Sequence, residues 1–450
     1  MRIAIVGWGV EGQSAYRYFG SDNEYLIVNE EPREDFPPES DRIKVQYIKT
    51  ERAPGLTGNV TDTSYLDGIQ DCDKIVYSPT ARKVLEKVFP DDNPIWQKAT
   101  TDRHIFFENV QTKNIIGITG SKGKGTTSTL VAKLLEAQGK KVFLGGNIGK
   151  SVLDFMHEVR AEDWVVLELA NFQLYKFPYS PHVAVCLMIT EEHLDWHPDM
   201  EDYIQAKANL FRHQKADDIA IYFAKNENSK RIAGYSAGKK VPYYEQPGAL
   251  VRDDGMVVIG ETEVISKNEV KLLGEHNLQN ICAALTTVFE ATGSVDEAEA
   301  VLSSFSGLEH RLEFVRELEG VKYYDDSFAT TPEAAVVALK AFLQPKIVIL
   351  GGHDKGLDFT PLADEVVKSN VKQVLAIGQT AGKITELLNE RGFTDITGGL
   401  AGMPEIVAAA SEHAKAGDVV LLSTGCASFG MFKDYKERGD LFKQTVQELS

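Results

Sequence analysis

Residues 117–127 read GITGSKGKGTT, and a glycine-rich loop ending in Gly-Lys suits the wrapping of backbone N–H groups around a triphosphate, with the ammonium on its outer phosphates. Gly117, Gly120 and Gly123 followed by Lys124 give the spacing G-x-x-G-x-x-G-K. The candidate ATP contacts are therefore Gly120, Ser121, Lys122, Gly123, Lys124, Gly125, Thr126 and Thr127. Gly125 stands where a Walker A loop has the Ser or Thr that touches Mg²⁺, so that hydroxyl has to come from Thr126 or Thr127. Glu168 closes the apolar run Val165, Val166, Leu167. A carboxylate at the carboxyl end of a buried parallel strand faces the crevice where α/β proteins bind ligands, which makes Glu168 a candidate Mg²⁺ ligand; the alternative is that it caps the following loop. His193 follows a further apolar run and forms an i, i+4 pair with His197. Without H-E-x-x-H or nearby cysteines that pair is no zinc signature, and one imidazole near magnesium is the better reading.

Alternating strands and helices must position these side chains. Residues 114–118 form a short β-branched run suited to a buried strand and 128–137 carry helical apolar spacing, so the loop lies between strand and helix. The same grammar opens the chain: a strand over Arg2–Val6, the turn Gly7-Trp8-Gly9-Val10-Glu11-Gly12, and a helix over 13–19, the setting of a Rossmann phosphate loop. Gly9 and Val10 become candidate substrate contacts. A strand over 25–28 ends in Asn29-Glu30-Glu31, where an acid such as Glu30 could accept from a ribose or a uracil edge; on these residues alone a dehydrogenase is also conceivable. Residues 30–42 read as a solvated loop. Strands over 164–169 and 184–189 alternate with helical stretches in the middle of the chain, and strands over 321–324, 346–350, 373–377 and 419–422 repeat the pattern towards its end. At 450 residues the chain exceeds one hydrophobic core. The expectation is an α/β protein of three domains: Rossmann-like over 1–102, a central P-loop ATPase-like parallel sheet over 103–304, and Rossmann-like again over 305–450.

Lys plus Arg number 48 against 66 Asp plus Glu, and the formal charge of −18 repels nucleic acid and anionic lipid. Small-molecule substrates are expected instead. Cys72, Cys186, Cys282 and Cys426 lie far apart with no C-x-x-C pair, as in a reducing cytosol. No apolar run approaches the ~20 residues of a membrane helix. A cytoplasmic protein with no membrane partner is expected.

Taken together, the motifs resemble those of the muramyl ligases, the ATP-dependent amino-acid-adding enzymes of peptidoglycan synthesis, and the resemblance extends over the whole chain. Its central carriers are the loop 117–124, Glu168 within LELANFQL, His193 within EEHLD and Lys207 within IQAKANLF, in the family's order. Read by itself, Lys207 is a helix-surface lysine. The resemblance implies that it is carbamylated by CO₂, which turns a cation into an oxygen ligand for Mg²⁺, and that Thr126, Glu168, His193 and carbamylated Lys207 hold two metal sites. Residues 274–280, GEHNLQN, match the family's G-x-H-N-x-x-N, which gives Asn277 the adenine region of ATP. Residues 307–313, GLEHRLE, match G-L-x-H-R-x-E, which brings Arg311 to the nucleotide.

Asp326-Ser327 matches the start of a D-S-K-[AS]-T-N segment and gives Asp326 a catalytic and ATP-binding role beside Lys124, His193 and Lys207. Here the family's lysine is Phe328, so binding of an acidic substrate is expected to lean on Lys355 or another base. Residues 422–429 and 435–439 resemble segments of the glutamate-adding branch in which Ser428, Phe429 and Tyr435 meet the incoming amino acid, and Asn147 carries over to the muramyl-peptide site. Gly125 is shared with folylpolyglutamate synthases, but these lack a domain like residues 1 to about 100. The implied reaction is addition of D-glutamate to UDP-N-acetylmuramoyl-L-alanine through an acyl phosphate, by a monomer using ATP and Mg²⁺. L-glutamate, another acidic amino acid, or a non-catalytic nucleotide sensor are the alternatives.

Overall fold

The computed structural model describes residues 1–48, 62–147, 149–194, 196–272, 274–354 and 356–449. They form two compact units, one of residues up to 304 and one of residues from 305 on, the latter joined by residues 271, 272 and 274. The architecture is α/β with several parallel sheets.

In the first unit β1 (Arg2–Val6), β2 (Glu24–Asn29), β3 (Ile43–Tyr47), β4 (Lys74–Tyr77) and β5 (Ala99–Thr100) make a parallel sheet in the order β3-β2-β1-β4-β5. The next six strands, β6 (Ile115–Thr119), β7 (Val142–Gly146), β8 (Trp164–Glu168), β9 (Val183–Cys186), β10 (Ile219–Phe223) and β11 (Lys239–Tyr243), make a second parallel sheet in the order β11-β10-β9-β6-β8-β7. Its strands β6, β8 and β9 are buried at every residue, which is why they read as continuous apolar runs without alternation. A small antiparallel sheet of β12 (Leu250–Val251), β13 (Met256–Ile259) and β14 (Thr262–Ser266) follows.

The two parallel sheets share a core. Ile105 and Phe106, on the helix Asp102–Asn109, pack in one cluster that holds Ile3, Ile5 and Tyr25 from the first sheet and Val165 and Leu167 from the second. The strand expected over 184–189 ends at Cys186. Leu187 still donates its N–H to the Thr119 carbonyl at 2.8 Å, but the next residue turns to the phosphate loop, where the Met188 carbonyl accepts from Ser121 N at 2.9 Å.

In the second unit β15 (Glu313–Leu318), β16 (Val321–Asp325), β17 (Lys346–Gly351), β18 (Val371–Ile377), β19 (Ile396–Thr397) and β20 (Val419–Leu422) lie in the order β15-β16-β20-β17-β18-β19, parallel except for the β15–β16 hairpin. Apolar clusters cover both faces, one around Leu350 and Leu421 and the other around Ile349 and Val420. No helix among the described residues is long and apolar enough to cross a membrane.

Candidate active site

The strand order of the second sheet reverses at β6, whose neighbours are β8 and β9, and the loops leaving the carboxyl ends of these three strands converge there. The loop after β6 runs into the helix Lys124–Ala137 through Gly123. Gly123 is left-handed at φ 86, and a Cβ on it would lie 2.2 Å from Asn280 Oδ1, so only glycine lets the helix Glu275–Thr292 back the loop this closely. Asn280 in turn donates to Asn277 Oδ1 at 3.0 Å. The i, i+3 spacing of the two asparagines within GEHNLQN was the trace of this contact in the sequence.

Lys124 folds back onto its own loop and donates to the carbonyls of Gly120 at 3.0 Å and Ser121 at 2.7 Å. Ser121 Oγ lies 2.9 Å from Tyr203 Oη, donates to the Thr190 carbonyl and accepts from Thr190 N, which joins the loop after β9 to the phosphate loop. Lys207, on the helix Met200–Arg212, is no surface residue: only 1% of it is exposed. Its Nζ donates to the Gly120 carbonyl at 2.9 Å and to Thr119 Oγ1 at 3.3 Å and lies 4.6 Å from the Tyr203 ring centroid. Burial first, and the Lys124 charge second, push its pKa well below the usual lysine value.

Glu168 is buried, and Asn147 Nδ2 donates to its Oε1 at 2.8 Å while Asn147 N donates to its carbonyl. Gly146 makes this clamp possible at φ 102, where a Cβ would lie 2.2 Å from the Glu168 carbonyl oxygen. Glu168 Oε2, Thr127 Oγ1 and Ser128 Oγ are buried and have no hydrogen-bond partner among the described residues. Thr126, the other candidate hydroxyl, is half-buried. A buried carboxylate oxygen without a hydrogen-bond partner, near enough to Lys207 to act on it electrostatically, is a donor that fits a hard divalent cation.

His193 is exposed, in a left-handed conformation at φ 56, with its ring centroid 4.8 Å from that of Phe172. His197 is buried and both its ring nitrogens are engaged, Nε2 by Asn171 Nδ2 at 2.8 Å and Nδ1 by Asp202 Oδ2 at 2.7 Å. That leaves no histidine pair for zinc. Asn171 lies three residues beyond Glu168 in LELANFQL, and its pairing with His197 was not legible from the sequence.

On the first sheet, Gly9 caps the helix Val10–Phe19, Val10 is exposed, and Glu30 follows β2. Asn29 Oδ1 accepts from Trp8 N at 2.9 Å and ties the β1 loop to the end of β2. Gly12 is required where the helix crosses β1: a Cβ there would lie 2.0 Å from the Gly7 carbonyl oxygen.

In the second unit the ends of β16, β20 and β17 gather the other candidates. Asp326 accepts from Ser423 Oγ at 2.6 Å and from Leu312 N at 3.1 Å, and burial raises its pKa to about 7. The Arg311 guanidinium lies 4.2 Å from the Phe328 ring centroid, and Phe328 meets Tyr435 edge-on at 5.0 Å. The aromatic ring that replaces the family's lysine therefore bears a cation on its face. Ser428 is buried, and Phe429 is exposed with its ring 6.0 Å from His353. Lys355 lies outside the described residues.

Two residues given no role from the sequence hold this cluster together. Arg438 is fully buried and donates to Ser327 Oγ at 2.9 Å, the Ser327 carbonyl at 2.8 Å and the Cys426 carbonyl at 3.1 Å, with burial lowering its pKa to about 10. His310 Nδ1 pairs with Asp325 Oδ2 at 2.7 Å, beneath Gly439. Burial works against the charged imidazole, but the hydrogen bond and charge of Asp325 outweigh it and raise the His310 pKa.

A protein of Symbiobacterium thermophilum named UDP-N-acetylmuramoylalanine--D-glutamate ligase is 40% identical to this chain, with 100% of this chain and 98% of the relative covered. Its namesake in Acetivibrio thermocellus is 36% identical over 86% of this chain and 84% of its own length. The crystal structure of MurF ligase from Thermotoga maritima in complex with ADP matches at a TM-score of 0.56 and 19% identity over 99% of this chain and 95% of that one, a likeness of fold. The Mur ligase middle domain profile matches residues 118–288, and that of the Mur ligase glutamate ligase domain matches residues 310–426. With relatives this similar along its length and both profiles matched, the chain belongs to the Mur ligase family.

Proposed function

We propose that this chain is an ATP-dependent ligase that joins D-glutamate to UDP-N-acetylmuramoyl-L-alanine in peptidoglycan precursor synthesis. Relatives bearing that enzyme's name support the reading. The observation that carries it is the pair Lys124 and Lys207 on the Gly120 carbonyl, in a chain whose Glu168 keeps one buried carboxylate oxygen bare. The domains of this reading are residues 1–102 for the UDP substrate, 103–304 for ATP and 305–450 for glutamate, the outer two Rossmann-like.

A carboxylate oxygen of the substrate attacks the γ-phosphorus of ATP, the bond to the bridging oxygen breaks, and ADP departs from an acyl phosphate. The loop N–H groups of 120–124 and the Lys124 ammonium hold the transferring phosphoryl group, preorganised charge that needs no rearrangement during the step. Lys207, whose pKa burial lowers, carries an amine that in its neutral form can add to CO₂, forming an N–C bond and releasing a proton to leave a carbamate anion. That carbamate, Glu168, His193 and Thr126 would hold Mg²⁺ in two sites. Bound Mg²⁺ supplies charge neutralisation on the phosphate oxygens. Asn277 and Arg311 act on the nucleotide, Gly9, Val10, Glu30 and Asn147 on the UDP substrate, and Lys355, Ser428, Phe429 and Tyr435 on glutamate. The glutamate amine attacks the acyl carbon, phosphate leaves, and the amine gives up a proton. Asp326, titrating at about 7, and His193 are the groups suited to receive it.

The working form is a cytoplasmic monomer with small-molecule partners and neither nucleic acid nor membrane. Phosphate release from ATP, measured with UDP-N-acetylmuramoyl-L-alanine and each glutamate enantiomer, tests the reading. Release that depends on both the nucleotide substrate and D-glutamate is expected. Equal or greater release with the L-enantiomer, or release independent of the amino acid, overturns it.

A further inference from the structure

Arg103 is 1% exposed, yet no phosphate or catalytic role falls to it. Its guanidinium is fixed from one side by the adjacent Asp102, Nη1 to Oδ1 at 2.7 Å, and Asp102 is itself buried. From the other side Nη2 donates to Glu11 Oε1 at 2.6 Å, and Arg103 Nε has no partner among the described residues. The same Glu11 oxygen accepts from Gln173 Nε2 at 3.1 Å, and Gln173 Oε1 accepts from Ala170 N at 2.9 Å. Glu11 stands in the first turn of the helix leaving the β1 loop, and residues 170–173 follow Glu168. A second tie runs beside it: Asp154 accepts from Ser14 Oγ at 2.8 Å and from both Arg17 Nε and Nη2. Apolar side chains could join two packed helices without taking charges out of water. A buried ion pair trades stability for a fixed register, and here the register fixed is that of the β1 loop against the Glu168 segment.

We propose that Glu11 is a positioning residue whose carboxylate, held by Arg103 and Gln173, sets the β1 loop for the nucleotide portion of the acceptor substrate. The inference rests on the ligase reading given under Proposed function. It concerns substrate binding and leaves the chemical step alone. Glu11→Gln keeps the shape of the side chain and removes its charge. Loss of a charge-assisted contact of this kind is expected to raise KM for UDP-N-acetylmuramoyl-L-alanine about tenfold. The KM for ATP and kcat should stay within about twofold, because neither the ATP loop nor a transition-state contact is touched. Arg103→Lys, which keeps the charge but not the fork, should fall between the two. In a double-mutant cycle of Glu11→Gln and Arg103→Met, the effects of the two single changes on this KM should be strongly non-additive in the double variant. Parallel rises in both KM values, a KM change that follows loss of Tm across the variants, or no change in KM for the nucleotide substrate overturns the proposal alone, since wild-type turnover is then intact. Absence of wild-type turnover with this substrate overturns the ligase reading and this one with it.

Discussion

The carbonyl oxygen of Gly120 accepts from Lys124 Nζ at 3.0 Å and from Lys207 Nζ at 2.9 Å, so two lysines from different helices meet at one backbone atom. Lys207 is the buried member of the pair, and burial first and the Lys124 charge second push its pKa well below the usual lysine value. The proposed division of labour, Lys124 as the cation for phosphate and Lys207 as the amine that takes up CO₂, is tested at each residue separately.

Lys207→Ala is expected to lose most activity and to regain part of it in formate or acetate, small anions that can supply oxygen atoms in place of the proposed carbamate. Initial rates across an anion titration measure this. Wild-type rates in the variant without added anion would show that the amine has no part in turnover.

Lys124→Ala should lower kcat by about 10²–10³, the scale of removing one preorganised donor from a developing charge. Lys124 is half-buried and donates to two carbonyls of its own loop, and the loss of rate is expected to exceed any loss of Tm. A fall in Tm large enough to account for the lost rate would count against a catalytic role.

Asp326→Asn tests the burial of that carboxyl. A folded pKa raised to about 7 from an ordinary 3.8 contributes stability that is fully present below about 3.8 and is lost as pH rises through about 7. The variant cannot ionise, so its stability relative to wild type should improve between pH 5 and pH 8 in urea titrations. Its turnover at pH 8 should fall if Asp326, one of the two groups proposed to receive the amine proton, is the one that does so. A stability difference that does not change with pH would show that Asp326 ionises as a solvent-exposed carboxyl does.

Gly439→Ala would bring a Cβ to 2.2 Å from His310 Nδ1 and 2.6 Å from Asp325 Oδ2. Overpacking of this kind costs about 1–3 kcal/mol, and denaturant unfolding of the variant should show it. The matching loss should be much smaller for Gly417→Ala, which meets nothing within 4 Å, although its φ of 93 carries its own strain.

Strands β6, β8 and β20 were legible because burial on both faces leaves an uninterrupted apolar run, and the phosphate loop was legible because its glycines are demanded by close approach. Lys207 was not. Its burial comes from contact with Thr119 and Gly120, residues 88 and 87 positions away, and nothing in IQAKANLF records that the helix Met200–Arg212 turns this lysine inward. Arg438 and Arg103 escaped for the same reason: their burial depends on Ser327 and on Glu11, 111 and 92 positions away. The short strands β5 and β19 and the antiparallel strands β12 to β14 went unassigned because runs of two to five residues carry too little periodicity to separate them from loops.

All four cysteines are buried thiols outside any disulfide: Cys72 behind the first sheet, Cys186 at the end of β9, Cys282 on the helix that backs the phosphate loop, and Cys426 beside Thr380 in the second unit. Each thiol is thereby a native reporter of local opening. A thiol-reactive reagent can reach one only when the surrounding packing parts, so the order of modification, read peptide by peptide under mild denaturant, ranks the sheets by their resistance to opening. Protection of Cys282 by added nucleotide, with Cys426 unaffected, would trace ligand binding to the loop it backs.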